Sequence, residues 1–251
     1  RLGKHKDAIK CFDKALEIDP KYRDAWYVKG MAFGKLDSDD EAIRCYDKAI
    51  ELDPKFIPAW RNKGVIISNS GNQEKAIECY DKALEIDPNE PDVWNSKGVA
   101  TDRLQNHEES IKCFDKAIEL GSKNISKLHY NIRYFWVNKG IAFEKLGGYE
   151  EAIKCYDKAI EISPKWDWAW FNKATALKRL DKLDEAVKCY DKAIEIDPEV
   201  EFYWFNKGIT LDDLGKLEDA NECYTVAVRI DPEYLPAWHN KGFTLDKLGK
   251  P

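Results

Sequence analysis

The sequence predicts an all-α fold in which antiparallel pairs of helices stack along the chain. Two rare residue types carry this prediction, because each recurs at a spacing of 34 residues with one gap of 42, which indicates a single insertion of eight. Self-similarity at this period is typical of a helical repeat array. The cysteines are Cys11, Cys45, Cys79, Cys113, Cys155, Cys189 and Cys223, and the periodic tryptophans are Trp26, Trp60, Trp94, Trp136, Trp170, Trp204 and Trp238.

Each repeat unit contains two windows of apolar residues at helical spacing, separated by a turn signal such as Leu146-Gly147-Gly148 and usually closed by Asp-Pro. Proline stops the second helix because it lacks an N–H and disfavours a helical backbone in the residue before it. We predict one solenoid over residues 1–251. With Trp at position 4, it consists of a half unit 1–22, complete units 23–56, 57–90, 91–124, 133–166, 167–200 and 201–234, an insertion 125–132 and a half unit 235–251.

Small and aromatic residues also recur at fixed positions of the unit. The first complete unit has Gly30 at position 8, Ala42 at 20, Tyr46 at 24, Ala49 at 27 and Pro54 at 32. In this pattern the chain resembles the tetratricopeptide repeat family. The resemblance implies a right-handed superhelical solenoid whose first helices line a concave groove, and it implies that this groove binds peptide segments of partner proteins.

The periodic cysteines and tryptophans are interpreted as packing residues. Successive cysteines belong to different units and none has Cys-x-x-Cys spacing, so we expect reduced thiols that pack as small apolar side chains. We expect no metal and no cofactor. The seven periodic tryptophans are predicted to be core residues, because position 4 shares one side of the first helix with positions 8 and 11.

The opposite side of the first helix, at positions 2, 5, 6, 9, 12 and 13, is the predicted groove face. Asparagine recurs there at position 6, although helix propensity alone would favour other residues. Its amide suits the backbone of an extended peptide; the alternative is passive copying of an ancestral unit. The asparagines are Asn62, Asn138, Asn172, Asn206 and Asn240.

Aromatic residues make the groove face of the later units different from that of the earlier ones. Contiguous exposed apolar residues mark partner sites, where Trp and Tyr are favoured anchors. We predict a hydrophobic binding segment here; the alternative is that some rings pack between adjacent first helices. Phe171→Ala with Phe205→Ala is expected to weaken partner binding and leave the fold intact. The residues are Tyr134, Trp166, Trp168, Phe171, Phe202 and Phe205.

The lysines at position 7 and the eight-residue insertion are two further features of the sequence. Lysine occupies position 7 of all seven first helices, and we expect its ammonium to reach an acidic partner such as Asp47 or Asp157. The insertion is predicted to be a helical extension capped near Ser122. It is either a tolerated surface insertion or a modified rim of the groove.

Composition limits the function classes. A net charge of −6 and mixed groove charges argue against nucleic-acid binding, and no segment is apolar enough to span a membrane. Catalytic motifs are absent from the sequence, and no secretion signal is evident, so we predict a cytoplasmic, non-enzymatic scaffold that binds a protein or peptide. The alternatives are a scaffold that self-associates head to tail through its half units and the substrate-recruiting arm of a larger enzyme.

Overall fold

A computed structural model describes residues 2–123 and 129–249, and it confirms the all-α prediction. Within these residues there are fourteen helices and no strand. The helices are α1 (Leu2–Ile18), α2 (Arg23–Gly34), α3 (Asp39–Leu52), α4 (Ile57–Asn69), α5 (Gln73–Ile86), α6 (Pro91–Arg103), α7 (His107–Lys123), α8 (His129–Lys145), α9 (Tyr149–Ile162), α10 (Asp167–Arg179), α11 (Leu183–Ile196), α12 (Glu201–Asp213), α13 (Leu217–Ile230) and α14 (Leu235–Lys247).

The chain forms two compact units, residues 1–125 (unit 1) and residues 126–251 (unit 2). Unit 1 contains the helix pairs α2/α3, α4/α5 and α6/α7, and α1 packs against α2. Unit 2 contains the pairs α8/α9, α10/α11 and α12/α13, and α14 packs against α13. Each pair is one predicted repeat, whereas a single solenoid over 1–251 stays a prediction.

The two helices of a pair approach closely where a glycine at position 8 faces the ring at position 24. A Cβ added at Gly64 would lie 2.6 Å from the Tyr80 ring, and one added at Gly140 would lie 2.5 Å from the Tyr156 ring. The rings themselves are fully buried. A glycine and an aromatic residue one helix apart therefore set the spacing of the pair, as the sequence predicts.

Six of the periodic tryptophans are half-buried and pack against the buried clusters, whereas Trp238 is 49% exposed, so the prediction that all seven are core residues is corrected. In six of the seven, the indole Nε1 donates a hydrogen bond of 2.8–3.0 Å to the carbonyl of the proline six residues earlier. The fully buried residues of the first helices include position 3, as Val93, Ala169 and Tyr203 show. Tryptophan thus joins the end of one unit to the start of the next.

All seven cysteines are free thiols, and six of them are buried as predicted. Burial raises the pKa of Cys45, Cys113, Cys189 and Cys223 to about 11, so these thiols are protonated at neutral pH. Cys11 is the exposed exception. No group of acidic, His and Cys side chains among the described residues is arranged to hold a metal ion.

The prediction of a helix cap near Ser122 is wrong. Helix α7 continues through Ser122 to Lys123, because this unit lacks the proline that ends the second helix elsewhere. Helix α8 begins at His129 and includes Ile132, so this last part of the insertion is helical. The predictions for Ile125 and Leu128 fall outside the described residues. In the part of the chain that is described, no helix is long and apolar enough to cross a bilayer.

Candidate functional site

The predicted groove face divides into an exposed edge and a half-buried strip. Positions 2 and 13 are exposed, as Trp168 and Arg179 illustrate in α10. Positions 5 and 6 are mostly half-buried, and Asn172 is only 7% exposed. The reason is that position 6 borders the stripe of positions 3 and 10, where Ala169 and Ala176 are buried. Side chains at position 6 are therefore less accessible than a helical-wheel projection of one isolated helix predicts.

Four aromatic residues of α10 and α12 form one continuous group in unit 2, which we call the aromatic cluster. The cluster consists of Trp168, Phe171, Phe202 and Tyr203. The Trp168 and Phe171 rings stack with centroids 5.4 Å apart, and the Phe202 ring meets both edge-on at 6.2 and 5.1 Å. Edge-to-face and offset-stacked pairs at these distances are favourable beyond the area they bury.

The aromatic cluster is anchored on its inner side and open on its outer side. Tyr203 is buried, and its hydroxyl donates a hydrogen bond of 2.6 Å to the Asp167 carboxylate. Phe171 packs against the buried Tyr190 ring at 5.8 Å. Trp168 is 36% exposed and forms the accessible part of the cluster. Tyr190 is the aromatic residue that the sequence predicts at position 24, whereas sequence reasoning missed Tyr203, although it stands at position 3, where other units also have buried residues.

Tyr134 and Trp166 form a second aromatic group around a buried arginine. Their rings lie 4.7 Å apart, and the Arg133 guanidinium lies 4.8 Å from the Tyr134 centroid and 4.7 Å from that of Trp166. Arg133 also donates hydrogen bonds to the Ser163 hydroxyl at 2.8 Å and the Tyr134 hydroxyl at 3.0 Å. These contacts fix the Tyr134 ring, which is 40% exposed. In the sequence, Arg133 could have been noticed as a charged residue that stands between the apolar residues Ile132 and Phe135.

Phe205 lies apart from these groups. Its ring contacts Tyr224 at 6.0 Å and Tyr234 at 5.3 Å. Phe171 packs against Phe202 and Tyr203 of the neighbouring first helix, which is the alternative left open by the sequence, whereas Phe205 packs against Tyr224 of the second helix α13. Since both rings support the fold, removing them together would reduce stability as well as any affinity for a partner.

The asparagines at position 6 use part of their amide within the protein. Asn172 Nδ2 donates to the Trp168 carbonyl at 2.6 Å, and Asn206 Nδ2 donates to the Phe202 carbonyl at 2.7 Å. Asn62 Nδ2 instead reaches the Tyr27 hydroxyl on the preceding first helix at 3.0 Å. Asn138 and Asn240 are half-buried in α8 and α14. These bonds orient the side chains, and binding of a peptide by them stays a prediction.

The groove faces of α4 and α6 in unit 1 are polar at positions where α10 and α12 in unit 2 are aromatic, whereas α2 of unit 1 has Tyr27 at position 5. Arg61 stands at position 5 of α4, where α10 has Phe171. A cavity of about 110 Å³ opens between α4, α5 and α6, with Tyr80 and Arg103 in its wall. Its remaining lining residues are Val65, Ser68, Asn69, Asn95, Ser96 and Val99.

The lysines at position 7 are engaged within the repeats. Five of them reach an aspartate of the preceding second helix with Nζ–Oδ1 distances of 2.6 Å, which confirms the predicted acidic partner. Each also lies over the ring of its own periodic tryptophan, for example Lys63 over Trp60 at 5.8 Å. These lysines therefore help to hold neighbouring helices together and are not part of the binding face. The pairs are Lys29–Asp13, Lys63–Asp47, Lys97–Asp81, Lys173–Asp157 and Lys207–Asp191.

Family comparisons agree with this repeat structure. Models of the tetratricopeptide repeat match most of the chain, with matches in both units. The matched segments are residues 1–22, 24–56, 45–78, 68–102, 91–124, 134–165, 168–200 and 189–220. A comparison with curated proteins finds no match.

Several solved structures are similar to this chain. The crystal structure of YrrB, described as a TPR protein with an unusual peptide-binding site, is 25% identical, covers 78% of this chain and 97% of its own, and has a TM-score of 0.60. PilF of Pseudomonas aeruginosa is 18% identical over 88% of this chain and 96% of its own, with a TM-score of 0.72. Cut9–Hcn1 of the APC/C is 16% identical, covers 97% of this chain and 46% of its own, and has a TM-score of 0.75. The last two show the fold alone.

Proposed function

Because the chain belongs to the tetratricopeptide repeat family, whose members are generally protein-interaction scaffolds, we propose that unit 2 binds a hydrophobic peptide segment of a partner protein. The binding surface consists of the aromatic cluster and the Tyr134–Trp166 pair. The peptide-binding site named for YrrB supports this proposal, since that protein has the same repeat.

The observation that carries the proposal is the exposure of Trp168. Trp168 is 36% exposed and stacked on Phe171, so part of its ring remains accessible to a partner within a continuous aromatic group. A partner side chain laid against it would meet a ring whose orientation is already fixed by Phe171 and Phe202. Such pre-organised aromatic residues lose little conformational entropy on binding and are frequent hot spots.

Polar groups beside the rings would hold the peptide backbone. Asn172 and Asn206 are fixed by bonds to their own helices, and Asn206 is the more accessible of the two. The Tyr134 hydroxyl accepts a hydrogen bond of 3.0 Å from Arg133, which fixes its position beside the rings. Main-chain carbonyls of an extended segment suit such donors. In this proposal the apolar rings supply most of the affinity, and Asn138 and Asn240 of unit 2 contribute less; Asn62 lies in unit 1, outside the proposed surface.

The test is a selection of random peptides displayed on phage, followed by measured affinities of the selected peptides. Wild-type protein is expected to select peptides rich in apolar residues. Trp168→Ala is expected to weaken their binding by about 2 kcal/mol, which is roughly thirtyfold. Tyr22→Ala is the matched control, because Tyr22 is an exposed aromatic of unit 1, 50% accessible and outside the proposed surface.

Two results would contradict the proposal. One is failure of the wild-type protein to enrich any peptide; the other is equal affinity of the selected peptides for wild-type and Trp168→Ala protein. The thermal midpoint of each variant should be measured alongside, since Trp168 also contacts Phe171 and Phe202. Unchanged folding with weakened binding is the expected combination.

A second candidate is head-to-tail self-association, which the ends of the two units favour. On α14, Leu235 is 78% and Phe243 57% exposed, and no atom lies within 4 Å of a Cβ added at Gly242. At α1 and α2, a cavity of about 200 Å³ is lined by apolar residues that include Phe12 and Met31. Packing of helix α14 of a second copy against α1 would place Gly242 opposite Phe12, as a glycine faces an aromatic ring in five of the pairs.

Sedimentation equilibrium tests this candidate. Association predicts an average mass that rises with concentration for the wild-type protein and stays monomeric for Phe243→Glu, because a carboxylate would be buried against Phe12. A mass independent of concentration in the wild-type protein would overturn it.

A further inference from the structure

We infer that unit 2 has a second binding surface, a cavity between α11, α12 and α13 that takes an arginine side chain and an adjoining apolar side chain of a partner segment. The cavity has a volume of about 510 Å³, which lies within the range of roughly 300–1,000 Å³ that is typical of ligand pockets. None of its lining residues stands at a groove-face position, so the inference goes beyond the proposed function and does not rest on it.

The cavity has an apolar floor. Val187 of α11, Trp204 of α12 and Val226 of α13 line it, and all three are half-buried. Val226 is specific to this helix, because the other six second helices have lysine at position 26. Each of those lysines pairs with the glutamate three residues later at 2.6–2.9 Å. In α13 an apolar side chain thus stands where every other second helix has an ion pair.

Two carboxylates of α13 stand about one helical turn apart on the wall of the cavity. Asp219 and Glu222 both line it, and both are exposed. In the other six second helices the residues at these positions, 19 and 22, have opposite charges, as in the Glu109–Lys112 pair at 2.9 Å. Within the described residues, neither Asp219 nor Glu222 forms an ion pair or a hydrogen bond. Like charges one turn apart repel each other, and a bound cation would relieve that repulsion.

The lysines of the cavity wall do not cancel these carboxylates. Lys207 pairs with Asp191 at 2.6 Å, and the Lys216 ammonium lies 3.3 Å from the Asp184 carboxylate. Neither of these aspartates lines the cavity. Since each lysine has a carboxylate of its own, the two acidic residues of α13 give the cavity an excess of negative charge. Its charge is therefore complementary to a cationic ligand.

An arginine side chain matches both the charge and the apolar floor. Its guanidinium has five donors and can bond two carboxylates at once, whereas the ammonium of lysine is a compact point charge. Its methylene groups can pack against Val226 while the guanidinium reaches Glu222. One arginine does not fill a cavity of this size, so an adjoining apolar side chain of the partner would cover Trp204 and Val187.

Capped dipeptides test the cavity without an identified partner. The methyl NMR signals of Val187 and Val226 are followed in the intact protein during titration with N-acetyl-leucyl-arginine amide. The citrulline analogue has a similar shape but no charge, and N-acetyl-glycyl-arginine amide lacks the apolar side chain. We expect the leucyl-arginine probe to shift both methyl signals saturably, and either analogue to bind about tenfold more weakly. Raising the salt concentration should weaken the binding.

Variants separate the cavity from a general charge effect. Asp219→Asn combined with Glu222→Gln should weaken the leucyl-arginine probe about tenfold, because both carboxylates are lost. Val226→Lys introduces the residue of the other second helices and should weaken the probe to a similar extent. The matched control is Glu185→Gln with Glu199→Gln, which removes two exposed carboxylates of unit 2 outside the cavity lining and should bind like wild type. Circular dichroism checks that each variant folds, and the comparison of the probes on wild-type protein does not depend on any variant.

Three results would overturn the inference. They are the absence of a saturable methyl shift with the leucyl-arginine probe, equal affinity of either analogue, and unchanged binding by the variant that lacks both carboxylates of α13. Trp168→Ala should bind the leucyl-arginine probe like wild type. A failure of peptide binding at the aromatic cluster is thereby distinguishable from a failure of this cavity.

Discussion

Units 1 and 2 are built on the same frame but present different side chains on their groove faces. In both, a lysine–aspartate pair joins neighbouring helices with the same 2.6 Å distance, as Lys63–Asp47 and Lys173–Asp157 show. At position 5, however, α4 of unit 1 has Arg61, whereas α10 of unit 2 has Phe171, whose ring packs against Tyr190 at 5.8 Å. One position of the repeat therefore supports either charge or aromatic packing.

The comparison separates residues that hold the repeat together from residues that are free to vary in chemistry. The frame uses positions 3, 4, 7, 8 and 24, whose side chains are buried or engaged within the repeats. Positions 2 and 5 differ between helices of the two units: position 2 is Asp92 in α6 and Trp168 in α10, and position 5 is Arg61 in α4 and Phe171 in α10. Ligand preference can thus change without a change of fold.

Exchanging the two position-5 residues should have unequal effects on stability. Phe171→Arg would place a guanidinium against Tyr190, Phe202 and Tyr203, and we expect a loss of about 3–4 kcal/mol in the free energy of unfolding. Arg61→Phe would remove a buried unsatisfied Nε, so a change below about 1 kcal/mol is expected. Urea unfolding measures both, and equal losses would contradict the comparison.

The shared frame should respond equally in the two units. Gly64→Val and Gly208→Val each force a side chain into a buried ring, because their Cβ atoms would lie 2.6 Å from Tyr80 and Tyr224. We expect each to lower the free energy of unfolding by about 2–3 kcal/mol. Gly242→Val is the control, since nothing lies within 4 Å of its Cβ, and it should cost close to nothing. A large loss at Gly242 would show that the effect is not steric.

The half-buried Glu144 carboxylate gives unit 2 a pH dependence of its own. Burial raises the pKa of Glu144, and the hydrogen bond of 2.6 Å that the Tyr156 hydroxyl donates to it only partly offsets this rise. The folded state then binds more protons than the unfolded state between the ordinary and the raised pKa, so stability should fall as pH rises through that window. Glu144→Gln keeps the hydrogen bond and should remove this slope.

Unfolding midpoints measured across that pH range provide the check. The exposed Glu150→Gln variant is the control for loss of a carboxylate from the same unit. An identical slope in wild-type and Glu144→Gln protein would show that Glu144 is not its source.

The smallest expected change in stability comes from adding one more lysine–aspartate pair to the series. Lys241 faces Thr225, where the five paired lysines face an aspartate. Thr225→Asp should therefore stabilise unit 2 by about 0.5 kcal/mol at low salt, with less gain at high salt. Thr225→Asn is the uncharged control, and an equal gain in both variants would exclude the ion pair as the cause.

The sequence predicts the frame well because its determinants are local or strictly periodic. Gly64 and Tyr80 stand 16 residues apart on the two helices of one pair, and Trp60 follows Pro54 by six residues, within hydrogen-bond reach. Each relation repeats with the unit. Because the same residues recur in every unit, the contacts that every unit makes can be recognised from the sequence.

The candidate sites were predicted less well, because they depend on contacts between neighbouring first helices. A wheel of one helix places Asn172 and Trp168 on the same face, whereas packing between α10 and its neighbours leaves Asn172 7% and Trp168 36% exposed. Arg133 and the unsatisfied Nε of Arg61 likewise depend on which side chains surround them in space. Such neighbours differ from unit to unit and leave no periodic signal.

Labelling the nine tryptophans with 5-fluorotryptophan provides the most direct test of the central claim, because ¹⁹F NMR can follow each ring separately. The sample is titrated with the tightest peptide from the phage selection. The account predicts shifts at Trp168 and Trp166 of unit 2, with Trp60 and Trp94 of unit 1 unchanged as internal controls. Shifts confined to Trp60 and Trp94, with Trp168 unchanged, would contradict it.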